Sequence, residues 1–300
     1  MFQRTARVIE HVPVAERTFR VRLECPEIAG AIRPGQFVML RLPNTTDPLL
    51  GRPFALYDTV LDASGTSTAF DVVYLVVGKM TGRLAAVEAG QSLEVWGPLG
   101  KPFLDVGTAE RVALVAGGIG QTPFLAYARE LLGTRGFGGD APRQRSSQVS
   151  LYYGVRNAAL AAGVEDFRAA GVEVHLASDD GSVGFKGFVT QLLESHGSDR
   201  NPVSALETGF LEPEETRFPK QKPGFEILIG CGPEPMLHAL TKLAAKWNVP
   251  CQVSLETPMA CGVGICFSCV TKVKTPDGGW DYKRVCVDGP VFDAASLVWG

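Results

Sequence analysis

Four cysteines within the last forty residues constrain this chain more than any other feature. Cys261, Cys266 and Cys269 follow a C-x4-C-x2-C spacing, and Cys286 follows after sixteen intervening residues. Three thiolates offered by one loop and a fourth from a distant ligand are the plant-type arrangement for a [2Fe-2S] cluster. Four cysteines also suit structural zinc, although zinc sites usually pair two short knuckles rather than one triplet and one remote ligand. The loop residues are small, and Gly262 and Gly264 let the chain wrap closely around an inorganic core. The segment 249–300 is too short for a large hydrophobic core, so a bound metal group would supply the stabilisation it lacks.

The 300 residues suffice for two or three domains. Residues 1–104 read as short strands with Gly/Pro-rich turns, which predicts a small antiparallel β-barrel. Alternation is clear in Thr18–Leu23 and Ser92–Trp96, and Phe70–Val77 is rich in β-formers. A helix is expected over Thr81–Ala89. Residues 105–248 change pattern. Arg111–Ala116 is a continuous apolar run, as for a strand buried on both faces. Further strands at Gln148–Tyr153, Val172–Ala177 and Phe225–Ile229 alternate with helices at Pro123–Leu132, Phe188–Glu194 and Pro235–Trp247. This predicts an α/β domain built on a parallel sheet. The stretches 133–147 and 196–224 read as long or disordered surface excursions.

A net charge of -3 carries no basic excess of the kind nucleic acid requires. No apolar run reaches a membrane span, and the N-terminus has no secretory core. Seven cysteines without a disulfide framework point to a reducing, cytoplasmic setting. The four histidines, His11, His175, His196 and His238, form no acid–base set.

Two glycine-rich turns follow strands of the central domain. Gly117-Gly118-Ile119-Gly120-Gln121-Thr122-Pro123 follows the first and opens a helix, the context of a phosphate-binding turn, although it is not G-x-G-x-x-G. Gly230-Cys231-Gly232-Pro233 follows the fourth. Both lie where ligands bind open α/β sheets.

With Arg52-Pro53-Phe54-Ala55 upstream, this order resembles the ferredoxin–NADP reductase superfamily. With the cysteine segment added, nearly the whole chain resembles the electron-transfer subunits of the dihydroorotate dehydrogenase B type. The resemblance implies FAD, with Arg52 on its pyrophosphate and Pro53, Phe54 and Ala55 running beside the isoalloxazine. Ala55 stands where many members carry a hydroxyl. It also implies that Gly78 and Thr81 approach the diphosphate, with Lys79 either adding charge or standing as a solvated surface lysine. Gly117, Gly118 and Gly120 would hold the pyridine nucleotide, and Thr122 and Pro123 would shape its nicotinamide side. Cys231, with Gly232 and Pro233, would pack at the nicotinamide–flavin contact, not as a nucleophile. Asp179 and Asp180 lean the choice toward NAD, while Arg156 argues for NADP if it faces the same spot.

The chain lacks a pocket for an organic substrate, and the resemblance places that on a partner. The partner is an FMN-containing dihydroorotate dehydrogenase catalytic subunit in a heterotetramer of two plus two. Electrons would then run from FMN through [2Fe-2S] and FAD to NAD+. The alternative is a reductase subunit exchanging electrons between NAD(P)H and ferredoxin or another redox partner.

Overall fold

The computed structural model describes residues 1–198 and 224–299. The N-terminal part is a curled, seven-stranded antiparallel sheet. Its strands are β1 (Phe2–Ala15), β2 (Thr18–Glu24), β3 (Phe37–Arg41), β4 (Arg52–Ala55), β5 (Asp58–Leu61), β6 (Ser67–Leu75) and β7 (Ser92–Leu99). They pair in the order β4-β3-β7-β1-β2-β6-β5. Alternate residues of β1, β2 and β7 point inward, so Ala6, Val8, Val21, Leu23, Leu93 and Val95 fill the sheet's interior. Two short helices, α1 (Pro26–Ala31) and α2 (Lys79–Leu84), close its ends. The second helix starts earlier and ends sooner than the sequence reading of Thr81–Ala89. Thr81 explains the early start: its Oγ1 accepts the N–H groups of Val77 and Gly78 at 3.0 and 3.1 Å, which caps the helix at Gly78.

The central sheet has the order β11-β10-β9-β8-β12-β13-β16. The parallel strands are β8 (Arg111–Gly117), β9 (Gln148–Val155), β10 (Glu173–Ser178), β11 (Phe185–Lys186), β12 (Ile227–Cys231) and β13 (Cys251–Ser254). Helices α3 (Phe124–Leu131), α4 (Val164–Ala169), α5 (Val189–Ser198) and α6 (Glu234–Trp247) flank it. Residues 112–116 of β8 are buried on both faces, as their unbroken apolar run requires.

The C-terminal segment carries a hairpin of β14 (Val270–Lys274) and β15 (Trp280–Arg284), then α7 (Val285–Asp288) and β16 (Val291–Asp293). The last strand returns to pair antiparallel with β13. The C-terminal segment therefore contributes two strands to the central sheet.

A polar joint links the curled sheet to the central domain. The Tyr57 hydroxyl donates to Asp166 at 2.6 Å, and the Ala126 N–H donates to the Tyr57 carbonyl at 3.0 Å. Arg129 pairs with Asp58, and Arg135 donates to the Thr59 carbonyl. These side chains line a cavity of about 310 Å³. Residues 133–147 are thus not the loose excursion their composition predicts. Phe137 is buried in the core of the curled sheet, and Arg33 pairs with Asp140 at 3.0 Å. One aromatic anchor outweighs the surrounding glycines and arginines. The second expected excursion, 196–224, lies mostly outside the described residues.

Candidate functional site

A cleft of about 760 Å³ opens at the C-terminal ends of the parallel strands. Gly117 and Gly118 line it after β8, Gly232 and Pro233 after β12, and Val76 and Val77 bring in the edge of the curled sheet. It therefore joins the nucleotide turns to the backbone just before Gly78. Gly120 lies beneath the lining. A Cβ there would stand 2.2 Å from the Cys231 carbonyl oxygen, so only glycine lets the two turns touch. Gln121, Thr122 and Pro123 continue into the start of α3, with Gln121 and Thr122 buried.

Cys231 is half-buried at the end of β12. Burial, with the carboxylate of Glu256 adding in the same direction, pushes its thiol up to about 12. The group is protonated at neutral pH, in keeping with a packing role and not a nucleophilic one.

Three cleft residues escape sequence reasoning. Met236, which helical spacing assigns to the core, packs between the two glycine turns. Its Sδ would lie 2.7 Å from a Cβ on Gly117, and its Cε 2.8 Å from one on Gly232. Glu256 enters from just beyond β13. Arg17, at φ 53°, anchors its guanidinium to the Val76 carbonyl at 2.6 Å. All three reach the cleft through tertiary packing. At the far end, Arg156 and Asp179 both line the cleft. Asp180 does not: its Oδ1 accepts the N–H and hydroxyl of Ser182 at 2.9 and 2.6 Å. The acidic character at that end therefore belongs to Asp179.

Arg52 opens β4 with an exposed side chain. Its Nη1 donates to the carbonyls of Leu50 and Gly51 at 3.1 and 2.9 Å, and no carboxylate pairs with it among the described residues. A guanidinium left with donors to spare fits the phosphate chemistry of FAD. Pro53 and Ala55 are half-buried beside it, and Phe54 is buried against Tyr74. Lys79 is held by Asp47, which also lies 3.9 Å from Arg83, so part of its charge is already neutralised. Thr81 is occupied in capping α2. If Arg52 holds the pyrophosphate, Arg52→Ala should weaken FAD binding about 10-fold, the low end for a charge-assisted bond because the side chain is exposed. Titration of the apoprotein with FAD measures it, and equal affinities would remove Arg52 from the site.

The four candidate metal ligands lie on the C-terminal loop and α7. Cys266 is exposed, Cys269 and Cys286 are buried, and Cys261 lies between; none is in a disulfide. They approach as two pairs, Cys261 with Cys266 and Cys269 with Cys286. Among the described residues, no three His, Cys, Asp or Glu side chains are grouped to hold a metal ion. Two pairs suit two bridged irons better than one zinc. The hydroxyl and N–H of Ser268, together with Cys261, draw the Cys266 thiol below its ordinary value, which favours the thiolate form that ligates a metal. Burial and the neighbouring Cys269 push Cys286 up to about 12. The Val263 N–H points at Cys261 Sγ at 3.4 Å. The donor set thus fits an iron–sulfur group.

This loop rests on the curled sheet. The Trp96 indole N–H on β7 donates to the Cys261 carbonyl at 3.1 Å. Gly262, at φ 72°, sits over Met39 of β3, where a Cβ would come within 2.7 Å of the methionine. β3 is the direct neighbour of β4, which carries Arg52–Ala55.

Comparison with known proteins agrees with this geometry. Residues 5–103 match the oxidoreductase FAD-binding domain, and residues 256–298 match the iron-sulfur cluster binding domain of dihydroorotate dehydrogenase B. The chain is 36% identical to the dihydroorotate dehydrogenase B (NAD(+)) electron transfer subunit of Geobacillus kaustophilus, over 95% of this chain and 94% of that one. It is 32% identical to the corresponding subunit of Desulforamulus reducens, over 98% and 97%. Among solved structures, a chain of the NADH-dependent reduced ferredoxin-NADP oxidoreductase superposes with a TM-score of 0.74 at 26% identity, covering 98% of this chain and 90% of that one. Phthalate dioxygenase reductase shares the fold, with a TM-score of 0.57 at 18% identity over 95% and 94%.

Proposed function

The chain belongs to the family of dihydroorotate dehydrogenase B electron-transfer subunits, and we propose that it carries electrons from an FMN-containing catalytic partner to NAD+. It is an oxidoreductase component with FAD, a [2Fe-2S] cluster and NAD as its redox groups. Once bound, FAD exchanges a hydride's two electrons with NAD(H) and a [2Fe-2S] cluster handles them singly, which converts between two-electron and one-electron carriers. The observation that carries this reading is the seating of the cysteine loop on β3 and β7, with the nucleotide cleft opening beside β6 of the same sheet. The sheet is thus in contact with both exchange partners.

In this reading Arg52 holds the FAD pyrophosphate and Pro53, Phe54 and Ala55 line the flavin, with Gly78, Lys79 and Thr81 near the diphosphate. Gly117, Gly118, Gly120, Thr122, Pro123, Gly232 and Pro233 shape the nucleotide turns. Cys231 packs at the nicotinamide contact and keeps its proton. Cys261, Cys266, Cys269 and Cys286 ligate the irons. Residues 1–104, 105–248 and 249–300 act as flavin, nucleotide and cluster units. Two such chains join two catalytic subunits in the cytoplasm. No helix among the described residues is long and apolar enough to cross a membrane.

The likeness to the NADH-dependent ferredoxin-NADP oxidoreductase chain supports a second reading, in which ferredoxin or another carrier replaces the FMN subunit. Reconstitution separates the two. The isolated subunit should pass electrons from NADH to an artificial acceptor and oxidise no dihydroorotate. Adding the FMN subunit should create dihydroorotate-dependent NAD+ reduction. No complex and no coupled activity would transfer the assignment to the second reading.

A further inference from the structure

Arg284 ends β15 and caps α7, two residues before Cys286. Its Nη1 donates to the Gly264 carbonyl at 3.2 Å, and its guanidinium lies over the Phe267 ring, 5.5 Å from the centroid. Gly264 and Phe267 bracket Cys266, so one cation spans the stretch of loop that carries this ligand and sits at the base of another. Its counter-charge is loose. Asp288 Oδ2 stands 3.8 Å from Arg284 Nε and is also engaged by the Arg284 backbone N–H at 2.9 Å. Cys266, Ile265 and Phe267 are exposed, whereas Cys269 and Cys286 are buried beneath.

A cluster's potential follows its net charge, the hydrogen bonds around it and its exposure. Adding an electron adds one negative charge, and a fixed cation close by favours that state by Coulomb attraction. Loop and cation are held together here by a hydrogen bond, a ring contact and a shared backbone. We propose that Arg284 is a tuning residue that raises the reduction potential of the cluster, with Asp288 as a partial brake. This rests on the iron–sulfur reading above. The competing role is a plain strut, in which Arg284 shapes the loop and its charge is immaterial.

The test uses the full chain purified anaerobically, as wild type and as Arg284→Gln, Arg284→Lys and Asp288→Asn. Iron and acid-labile sulfide are measured first, then the midpoint potential by titration followed by electron paramagnetic resonance. Arg284→Gln should lower the midpoint by a roughly ten-fold shift in the reduction equilibrium, about 59 mV for a one-electron couple. Arg284→Lys keeps the charge and loses the fork, so its midpoint should stay near wild type. Asp288→Asn keeps the arginine and removes the brake, so its midpoint should rise. Equal falls for the Gln and Lys variants, or an unchanged midpoint in a fully loaded Gln variant, would establish the strut. If Arg284→Gln cannot hold a cluster, the Lys and Asn variants decide, and an Asn variant with no rise overturns the proposal. Wild-type protein without iron and sulfide would instead remove the cluster reading itself.

Discussion

Cys269→Ser should strip most of the iron and sulfide from the protein and abolish dihydroorotate-driven NAD+ reduction in the reconstituted complex. Reduction of bound FAD by NADH should persist. Cys269 is 1% exposed, so an oxygen in its place cannot be exchanged for a solvent ligand, and the hard hydroxyl suits iron–sulfur chemistry poorly. The flavin and nucleotide parts survive because the curled sheet has its own core of Val8, Val21, Leu40, Phe70 and Val95, and a second core lies between β8, β9 and α3. Metal and sulfide analysis, with stopped-flow kinetics of both half-reactions, reads the outcome. Undiminished coupled turnover in a variant shown to lack the cluster would refute the route through the cysteine loop.

Gly120→Ala should slow flavin reduction by NADH on the order of 100-fold. The added Cβ would meet the Cys231 oxygen at 2.2 Å, the Cys231 carbonyl carbon at 2.5 Å and the Gly232 nitrogen at 2.8 Å. All three are backbone atoms, with no rotamer that relieves the clash. Overpacking costs about 1–3 kcal/mol, and a backbone clash belongs at the upper end. About 3 kcal/mol falling on the approach of nicotinamide to flavin corresponds to roughly two decades in rate. FAD and cluster content should be normal, since Arg52 and the four cysteines stand on other elements, β4, the C-terminal loop and α7. An unchanged rate in the substituted protein would mean that the turns separate harmlessly and that their touching has no part in hydride transfer.

The cysteine loop was legible because its chemistry is written locally, in the spacing of Cys261, Cys266 and Cys269. The parallel strands were legible for a related reason: Arg111–Ala116 is apolar without interruption, and only a strand covered on both faces permits that. What packing decides at a distance was not legible. Phe137 anchors its loop against a sheet whose last strand ends at Leu99, and Met236 both packs on the core and supports two glycine turns. The start of α2 was missed because Thr81 looks forward in sequence as a helix opener, whereas its hydroxyl turns back to Gly78. Strands of two to four residues, such as β11, β13 and β16, hold too few positions for alternation to register. The choice between Asp179 and Asp180 needed the Ser182 turn, which withdraws one of two adjacent carboxylates.

The placement of β16 has a bearing on biosynthesis. This strand, Val291–Asp293, is made after the other described strands, yet it covers the outer side of β13 and completes the edge of the central sheet. Until β16 has been made, β13 has no neighbour on that side, and an uncovered strand edge is a template for pairing with other chains. The short segment between β13 and β16 holds all four cysteines, so an inorganic core installed there would tie down the stretch that delivers the closing strand. Iron and sulfide would therefore bear on how promptly a new chain hides its sticky flank, a matter of aggregation during synthesis that is separate from redox competence.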